Sequence, residues 1–411
     1  MSEIAQSDTA AGLGHLPRGQ VAPITRKILA RLAPRIGRGK LSLSFTDGEP
    51  FFATGSQPGP HAQIRMTDDR VAKRIALGSA LAIADSYIDG EWETDDLTSV
   101  IELGARNLDS LSGFALPAVI GRAGARLYHG LRANTRRGSR RNITAHYDIG
   151  NDFYANWLDP EMIYSSAMFA TADEPLEAAQ RRKFDHLARY IDLQPGDHLL
   201  EIGCGWGGFA IHAAQEYGAR VTALTISPAQ AAWARARVAE VGLSDCVEIR
   251  IQDYRDVDGT FDKIASIEMF EAVGERYWPA FFNTLRNRLR AGGRAGLQFI
   301  SIDDARFSSY RRNPDFIQMR VFPGGMLPSP SGFVAGLHRS GLEPVEQFFF
   351  GADYAETLRR WRMAFEAAWP RISQQGFDDR FRRLWRYYLC YCEAGFRAGN
   401  ISVSQQAIVS R

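Results

Sequence analysis

One stretch of the sequence decides the fold: Leu199-Leu200-Glu201-Ile202-Gly203-Cys204-Gly205-Trp206-Gly207. An apolar strand ends at an acidic residue and alternating glycines, and the run 209–214 that follows is typical of a helix. Alternating glycines let the backbone turn tightly and approach a flat ligand, because no Cβ stands in the way. The stretch therefore predicts a ligand-binding turn between a strand and a helix, with a purely structural glycine turn as the alternative.

The residues around these glycines distinguish between classes of ligand. Glu201 lies two residues before the first glycine, where a carboxylate can face an amino-acid ammonium group. The turn lacks the Lys-Ser/Thr pair of a phosphate-cradling loop. The combination favours S-adenosylmethionine (SAM) over a nucleotide phosphate. The residues of the turn expected to bind SAM are Glu201, Gly203, Cys204, Gly205 and Gly207.

Strand-like and helix-like segments alternate after residue 197. The predicted strands are 198–202, 219–226, 247–252, 261–267 and 294–300, and the predicted helices between them are 209–217, 228–241 and 277–289. This alternation predicts βαβ units in a mostly parallel sheet with helices on both faces. The tail 355–398 is predicted as helices broken near Pro370 and Gly376. Ligands of such sheets bind at the carboxyl ends of the strands, where the glycine turn falls.

Two further predicted strands end in polar residues. The second strand lacks the acid that usually meets a ribose, so Thr225 and Gln230 are expected there instead. The third strand ends at Gln252, Asp253 and Tyr254, where an acid or an amide can bind the adenine amino group. Ordinary turn and helix-cap chemistry is the alternative for all of these residues.

Composition describes a soluble protein of two domains. The chain has 411 residues, of which 45% are hydrophobic and 23% charged. Its four cysteines show neither disulfide nor zinc spacing, which predicts a reducing compartment and no metal site. Neither a signal peptide nor an apolar run near the ~20 residues of a membrane span is found, so a cytoplasmic location is expected.

An arginine-rich segment divides the chain. No acidic residue lies between Asp109 and Asp148, where seven arginines fall: Arg122, Arg126, Arg132, Arg136, Arg137, Arg140 and Arg141. Such a segment is either a solvated face or linker, or a contact with phosphates of lipids or nucleic acid. Part of it, 116–133, is predicted as an amphipathic helix. The predicted divisions are a disordered tail 1–18, a small α+β domain 19–133, a basic linker 134–145 and a catalytic domain 146–411.

An ordered set of motifs covers most of residues 80–400: Asp85–Trp92, His146–Tyr154, Leu158–Pro160, Tyr164–Ser165, the glycine turn, Leu224–Ser227, Gln252–Arg255, Met269–Gly274, Phe322–Ser329, Phe350–Tyr354 and Tyr387–Leu389. Together they resemble the cyclopropane fatty acid synthase family. The resemblance implies an α/β, class I SAM-dependent methyltransferase with a Rossmann-like, mostly parallel sheet, a small lipid-facing N-terminal domain, helical insertions and C-terminal helices.

The resemblance also implies a reaction and its partners. The enzyme is expected to transfer a carbon from SAM to the cis double bond of an unsaturated acyl chain in a membrane phospholipid. It is expected to work from the cytoplasm, peripherally associated with the anionic inner face of the membrane and without nucleic acid. Its oligomeric state is left open, with a homodimer as one expectation.

Catalytic residues are implied by matching the family residue by residue. Tyr164 and Ser165 are expected to close over SAM, and the aromatic faces of Tyr164, Phe270 and Tyr354 are candidates to stabilise a cation. In the family a bicarbonate is thought to remove the last proton, held by a cysteine, a glutamate, a histidine, a backbone group and a tyrosine. The corresponding positions are Ser166, Glu271, Gln298, Ile300 and Tyr354, so serine and glutamine replace cysteine and histidine. Cys392 matches a near-terminal cysteine sometimes considered catalytic, and a buried inert thiol is its alternative.

These replacements leave the product open between a cyclopropane ring and a methyl- or methylene-branched chain. Glu268 and Glu271 form a Glu-x-x-Glu pair that resembles plant alkaloid N-methyltransferases, so a small amine substrate is an alternative. A lipid-binding protein without catalytic activity is a third interpretation, although it would leave the glycine turn without a purpose.

Overall fold

The computed structural model describes residues 29–46, 49–68, 71, 80–111 and 149–410. The predicted tail 1–18, the arginine-rich segment with its predicted helix 116–133, and the linker 134–145 lie outside the described residues. Contacts along the chain divide it into two units, residues 1–122 with 378–398 and residues 123–377 with 399–411.

The first unit contains a four-stranded sheet. Its strands are β1 (Arg38–Phe45), β2 (Phe51–Thr54), β3 (Gln57–Met66) and β4 (Trp92–Glu93), in the order β2-β1-β3-β4. Strands β1 and β2 pair antiparallel as a hairpin. Alternate side chains of β1, Leu41 and Leu43, pack with Phe51 and Ala53 in a small core, as the two-residue period of a strand requires.

Helices of the first unit come from both ends of the chain. They are α1 (Ala80–Ile88), α2 (Leu97–Arg106), α3 (Leu108–Leu111) and a helix named here the C-terminal helix (Asp379–Arg397). The sequence-based division placed the C-terminal helix in the catalytic domain, whereas its contacts lie with the first unit. Sequence distance hid this packing, since nearly 300 residues separate the partners.

One arginine holds the C-terminal helix to the first unit. Arg383 donates hydrogen bonds to the Tyr87 carbonyl at 2.5 Å, to a Glu93 carboxylate oxygen at 2.6 Å and to the Trp92 carbonyl at 3.0 Å. Its guanidinium also lies 4.2 Å from the centre of the Tyr87 ring. The planar, five-donor guanidinium suits such a convergence of acceptors.

Arg383→Met is expected to lower the free energy of unfolding by about 1.5–3 kcal/mol, because three acceptors lose a charged donor. Arg380→Met on the same helix is the control. Arg380 pairs with Asp89 at 3.2 Å across side chains that are 61% and 33% exposed, and such surface pairs contribute about 0–1 kcal/mol. Calorimetric unfolding of both variants checks this, and equal losses would contradict the anchoring role of Arg383.

The second unit contains a seven-stranded sheet in the order β10-β11-β9-β8-β5-β6-β7. Its strands are β5 (His198–Ile202), β6 (Arg220–Thr225), β7 (Val247–Ile251), β8 (Phe261–Ile267), β9 (Leu289–Ile302), β10 (Leu342–Phe349) and β11 (Ile401–Ser410). The strands β5 to β9 pair parallel, which confirms the five predicted strands, and β11 pairs antiparallel with both β9 and β10. The sequence analysis did not predict β10 or β11.

Helices of the second unit are α4 (Asn151–Ala155), α5 (Leu176–Tyr190), α6 (Gly208–Tyr217), α7 (Pro228–Glu240), α8 (Trp278–Arg288), α9 (Asp304–Arg312), α10 (Pro330–Arg339) and α11 (Gly351–Ile372). The predicted break at Gly376 is confirmed by its left-handed φ of 95°, whereas Pro370 lies inside the last turn of α11. A helix stops readily at a glycine that can adopt this conformation.

The central strands are buried on both faces. Leu199 and Leu200 follow one another in β5 and so point to opposite sides of the sheet. Leu199 belongs to a cluster with Leu187 of α5, while Leu200 belongs to another with Phe281 of α8. Helices therefore cover both faces, and the carboxyl ends of β5, β6, β7, β8 and β9 meet at one edge. The predicted ligand-binding residues lie at that edge.

Candidate active site

The glycine turn joins β5 to α6 through left-handed backbone. Gly203, Gly205 and Gly207 have φ values of 86°, 53° and 85°. A Cβ on Gly203 would lie 2.7 Å from the Met269 side chain, and one on Gly207 would lie 3.1 Å from Ala234. A Cβ on Gly205 would meet nothing within 4 Å. Packing explains the outer two glycines, whereas Gly205 borders open space that a ligand can enter.

Glu201 places a carboxylate beside this turn. The residue is 2% exposed, and its Oε2 atom has no hydrogen-bond partner among the described residues. Burial raises the pKa of Glu201 to about 8. An arriving ammonium or hydroxyl group would satisfy the oxygen and favour its ionised form. Glu201 therefore fits the role that the sequence predicted.

Residues at the end of β6 are joined to one another. Thr225 accepts the backbone N–H of Ser227 at 3.2 Å and donates to the Gln230 amide oxygen at 3.1 Å. Ser227 in turn caps α7 by accepting the backbone N–H of Gln230. The same strand end holds the glycine turn, because the Gly203 and Cys204 amides donate to the Leu224 carbonyl at 3.0 and 2.8 Å. The structure thus brings Thr225 and Gln230 beside the glycines.

The end of β7 is built around an ion pair. Asp253 is buried, and its two carboxylate oxygens accept hydrogen bonds from Arg255 at 2.8 and 2.6 Å. Gln252 donates to the Asp256 carbonyl at 2.9 Å, and burial raises the pKa of Tyr254 to about 12. The turn chemistry that the sequence left as an alternative is thus present for Gln252 and Asp253.

Aromatic side chains form what we name the aromatic wall, which consists of Trp206, Tyr154, Tyr164, Trp361 and Tyr354. Neighbouring ring centres in this order are 5.3, 5.3, 5.3 and 6.2 Å apart. Trp206 belongs to the glycine turn, whereas Tyr354 lies in the first turn of α11. The wall therefore connects the predicted SAM site to the predicted catalytic tyrosine. Electron-rich ring faces of this kind attract cations.

A carboxylate lies at the end of the aromatic wall. Glu268, at the end of β8, accepts hydrogen bonds from the Ser166 backbone N–H at 2.9 Å and the Gln298 side-chain amide at 2.8 Å through Oε1. Its Oε2 accepts the Tyr354 hydroxyl at 2.5 Å. Glu268 is half-buried, and its burial raises the pKa of the carboxyl. We name these four residues the carboxylate cluster.

The sequence analysis did not assign Glu268 to the site. Its one signal in the sequence is the Glu-x-x-Glu pair with Glu271, which indicates an amine substrate as an alternative rather than a contact with Tyr354. The backbone of Glu268 has a φ of 50°, in the left-handed region that small residues adopt more readily. A side chain that its contacts hold in that conformation at a ligand-binding edge is a candidate for a functional role.

A buried lysine that the sequence analysis did not assign to the site holds the loop that carries Ser166 of the carboxylate cluster. Lys183 of α5 donates to the Ser165 hydroxyl at 2.5 Å and to the Ser166 carbonyl at 3.1 Å. Burial lowers the pKa of Lys183 to about 8, while the negative charge of Glu268 opposes that shift. A lysine within an amphipathic helix gives no sequence signal of such burial.

Amide side chains fix the orientation of Gln298. Gln405 of β11 donates to the Gln298 oxygen at 2.9 Å and to the Lys183 carbonyl at 2.9 Å. The Gln405 oxygen lies 2.6 Å from His186 Nδ1. Because its oxygen is taken, Gln298 presents its N–H groups to Glu268.

Glu271 lies beside the carboxylate cluster. Its Oε1 accepts the Ile300 backbone N–H at 2.5 Å, so these two residues meet, as the family resemblance implies. Its Oε2 is buried without a hydrogen-bond partner among the described residues. Burial, followed by the charge of Glu268, raises the pKa of Glu271 to about 8.

The cluster does not fit a bicarbonate ion. The donors that the resemblance assigns to bicarbonate are Gln298 and Tyr354, and both already bind the Glu268 carboxylate. The Ser166 hydroxyl donates instead to the Ala167 carbonyl at 2.9 Å. A second anion beside Glu268 would suffer like-charge repulsion. The described residues therefore provide a protein carboxylate where a free anion was expected.

The structure also shows the surroundings of two other predicted residues. Phe270 is 1% exposed and stacks on Trp278 at 5.4 Å in the hydrophobic core, so it does not face a substrate. Cys392 is half-buried on the C-terminal helix, which belongs to the first unit.

Sheet order, left-handed glycine turn and polar strand ends together define a class I SAM-dependent methyltransferase. Residues 134–406 match the family model described as mycolic acid cyclopropane synthetase. The tuberculostearic acid methyltransferase UfaA1 of Mycobacterium tuberculosis is 38% identical over 430 residues, which cover 99% of this chain and 97% of that protein. The chain therefore belongs to the cyclopropane fatty acid synthase family of SAM-dependent enzymes.

Other comparisons agree. The cyclopropane-fatty-acyl-phospholipid synthase of Escherichia coli K12 is 36% identical over 354 residues, covering 85% of this chain and 88% of that protein. The crystal structure of the mycolic acid cyclopropane synthase CmaA1 with SAH and CTAB matches with a TM-score of 0.62 and 31% identity, over 66% of this chain and 97% of that one. The chain is thus a SAM-dependent methyltransferase that modifies lipids.

Gly205→Val is expected to weaken SAM binding by at least about 100-fold, since about 2.7 kcal/mol is lost when a branched side chain enters the ligand's space. Gly242→Val is the matched control, because Gly242 also has a positive φ, of 72°, and open space around its Cβ position. Calorimetric titration with SAM measures both variants. Equal weakening would show that backbone strain, rather than ligand contact, accounts for the loss.

Proposed function

We propose that this enzyme transfers the methyl carbon of SAM to the cis double bond of an unsaturated acyl chain in a membrane phospholipid, giving a methylene-branched chain. One observation carries the proposal. The aromatic wall leads from the glycine turn to Tyr354, whose hydroxyl binds the Glu268 carboxylate at 2.5 Å. Aromatic faces that end at a carboxylate suit a reaction in which a cation forms on a hydrocarbon chain.

Binding residues come first in the mechanism. When bound, SAM supplies an electrophilic methyl group on a sulfonium sulfur. Glu201 faces its ammonium group, Gly205 allows close approach, and Thr225 with Gln230 binds the ribose. Asp253 meets the adenine while it remains paired with Arg255. Tyr164 and Ser165 close over the site and exclude water, because an alkene is a weak nucleophile that needs alignment in a dry pocket.

Cation stabilisation is the next task of the protein. Attack by the alkene leaves a positive charge on the neighbouring carbon of the acyl chain. The rings of Tyr164 and Tyr354 offer faces that attract this charge without reacting with it. Glu268 adds negative charge that three hydrogen-bond donors and Lys183 hold in place, so it needs no rearrangement during the reaction.

The product depends on how quickly a proton is removed. Ring closure requires prompt loss of a proton from the new methyl group. Gln298 cannot accept it, because a neutral side-chain amide is not a base near neutral pH. Burial raises the pKa of Glu268, but hydrogen bonds from Tyr354, Ser166 and Gln298 oppose that rise and occupy three of its lone pairs, which slows proton removal. A hydride shift then moves the cation to the methylated carbon, and proton loss from the methyl group gives an exocyclic methylene.

A cyclopropane ring is the second candidate product. It is favoured by the E. coli relative named for that product, whereas the relative that covers 99% of the chain is named a methyltransferase. The amine substrate considered from the Glu-x-x-Glu pair is disfavoured, because the chain belongs to a lipid-modifying family. Membership of that family likewise disfavours a lipid-binding protein without activity.

The proposed product predicts a definite lipid change in a bacterial host that lacks its own cyclopropane synthase. Unsaturated phospholipid chains are expected to gain one CH₂ unit, detected by mass spectrometry. Ring and methylene products have equal mass, so proton NMR decides between them: vinylic signals far downfield are expected rather than ring signals far upfield. A host with the Gly205→Val chain is the control. Ring signals would contradict the methylene product, and no added carbon would contradict the proposed function.

Membrane association is proposed from the arginine-rich segment, which lies outside the described residues. No helix in the described part of the chain is long and apolar enough to cross a bilayer. Each basic residue near an anionic surface contributes about 1 kcal/mol, and salt screens this attraction. We therefore assign the enzyme to the cytoplasmic face of the membrane, where it meets its phospholipid.

Charge reversal to glutamate at Arg136, Arg137, Arg140 and Arg141 is expected to abolish sedimentation with anionic vesicles and leave SAM affinity unchanged. The wild-type enzyme should bind anionic vesicles more tightly than zwitterionic ones, and rising salt should weaken binding. Reversal of four exposed arginines of the second unit gives the same net charge and serves as the control: Arg189, Arg220, Arg339 and Arg371. Equal loss in both variants would show that net charge, not this segment, drives binding.

A further inference from the structure

Glu268 is held in an unfavourable backbone conformation. Its φ is 50°, in the left-handed region. Among the described residues other than glycine, only Met162 and Asp192 also have a positive φ, of 56° and 53°. Such a conformation costs on the order of 1 kcal/mol and persists where surrounding contacts impose it. Here the backbone N–H of Glu268 donates to the Gln298 carbonyl at 2.8 Å, and the carboxylate accepts three further hydrogen bonds.

The two oxygens of Glu268 differ in their surroundings. Oε1 accepts from both Ser166 and Gln298, so its lone pairs are used. Oε2 accepts the Tyr354 hydroxyl, and a carboxylate oxygen has a second lone pair. Part of the Glu268 surface also stays accessible, as does part of Glu271 and Tyr164. Oε2 therefore keeps a lone pair that can accept a proton.

Lys183 stabilises the charge of this carboxylate from the protein side. Its ammonium holds the Ser165 hydroxyl and the Ser166 carbonyl, while the Ser166 N–H points to Glu268. The lysine is fully buried, so its charge is screened little by solvent. Glu268 is thus a half-buried carboxylate with three hydrogen-bond donors and a nearby buried cation. It belongs to the protein and takes the place that a bound anion would otherwise have.

We propose that Glu268 is the enzyme's own proton acceptor, which takes the proton that the methylated acyl cation loses and makes the reaction independent of a free anion. This inference rests on the proposed function. A C–H bond of the new methyl group breaks, and its electron pair forms the carbon–carbon double bond of the methylene. The proton goes to Oε2 of Glu268, and it passes to water when the product leaves, so no oxidant or reductant is required.

Glu268→Gly tests the proposal. Glycine adopts the φ of 50° without strain, and its lack of a side chain leaves three donors facing a space the size of a small carboxylate. In bicarbonate-free buffer, product formation is expected to fall by about 100-fold or more, as for loss of a general base. SAM affinity should not change, and added formate or bicarbonate should restore part of the activity. The wild-type enzyme should respond to neither anion.

Two further variants separate chemistry from structure. Asp192→Gly relaxes the same kind of backbone, at a φ of 53° in an exposed position of the second unit, and should retain full activity. Glu268→Gln keeps the size and an oxygen that accepts hydrogen bonds, but it cannot accept a proton at neutral pH. It should therefore lose activity as severely as Glu268→Gly, without rescue by anions.

Several outcomes would overturn the proposal: full activity in Glu268→Gln or Glu268→Gly, no rescue of Glu268→Gly by either anion, or a bicarbonate requirement in the wild type. Failure of the proposed function itself gives a different result. In that case the wild-type enzyme binds SAM but adds no carbon to unsaturated phospholipid in any buffer. Lipid product and SAM affinity are therefore measured in parallel for all variants.

Discussion

A carboxylate drawn partly out of water needs donors, and the active site is arranged around this need of Glu268. Its three hydrogen bonds come from the loop before α5, from β9 and from α11, which are distant in sequence. Gln405 of β11 then fixes the amide of Gln298, and Lys183 fixes the loop. The hydrogen bonds of one carboxylate thus join the end of β8 to the loop before α5, to β9 and to α11 at the carboxyl edge of the sheet.

The sequence predicted the parts of the sheet that obey local rules. Apolar runs such as Leu199–Ile202 alternate with helices, and β5 to β9 followed from that rhythm. β11 escaped because its centre is polar: Ser404, Gln405 and Gln406 are buried in a strand. Their amides are satisfied by partners more than a hundred residues away or on the neighbouring strand. No local pattern could indicate that pairing.

The residues of the site also divide into those that the sequence predicted and those that it did not. The glycine turn and Glu201 lie within one short motif, so their role could be predicted from spacing alone. The roles of Lys183 and Glu268 could not be predicted, because the sequence does not show which residues they contact. Glu268 was noted only for its Glu-x-x-Glu pair with Glu271. Family resemblance named Gln298 and Tyr354 as partners of an anion, but it could not show that Glu268 of the same protein accepts their hydrogen bonds.

The path of the chain between the two units has a consequence for how the protein evolves and can be cut. The C-terminal helix lies in the first unit, and the chain then returns to the second unit to form β11. No single cut therefore separates the two units. A fragment beginning after the basic linker would keep Arg383 and Tyr387 but lose Tyr87, which both contact. Recombination at one linker therefore cannot exchange the first unit. Insertions and fusions have to preserve the three places where the chain passes from one unit to the other.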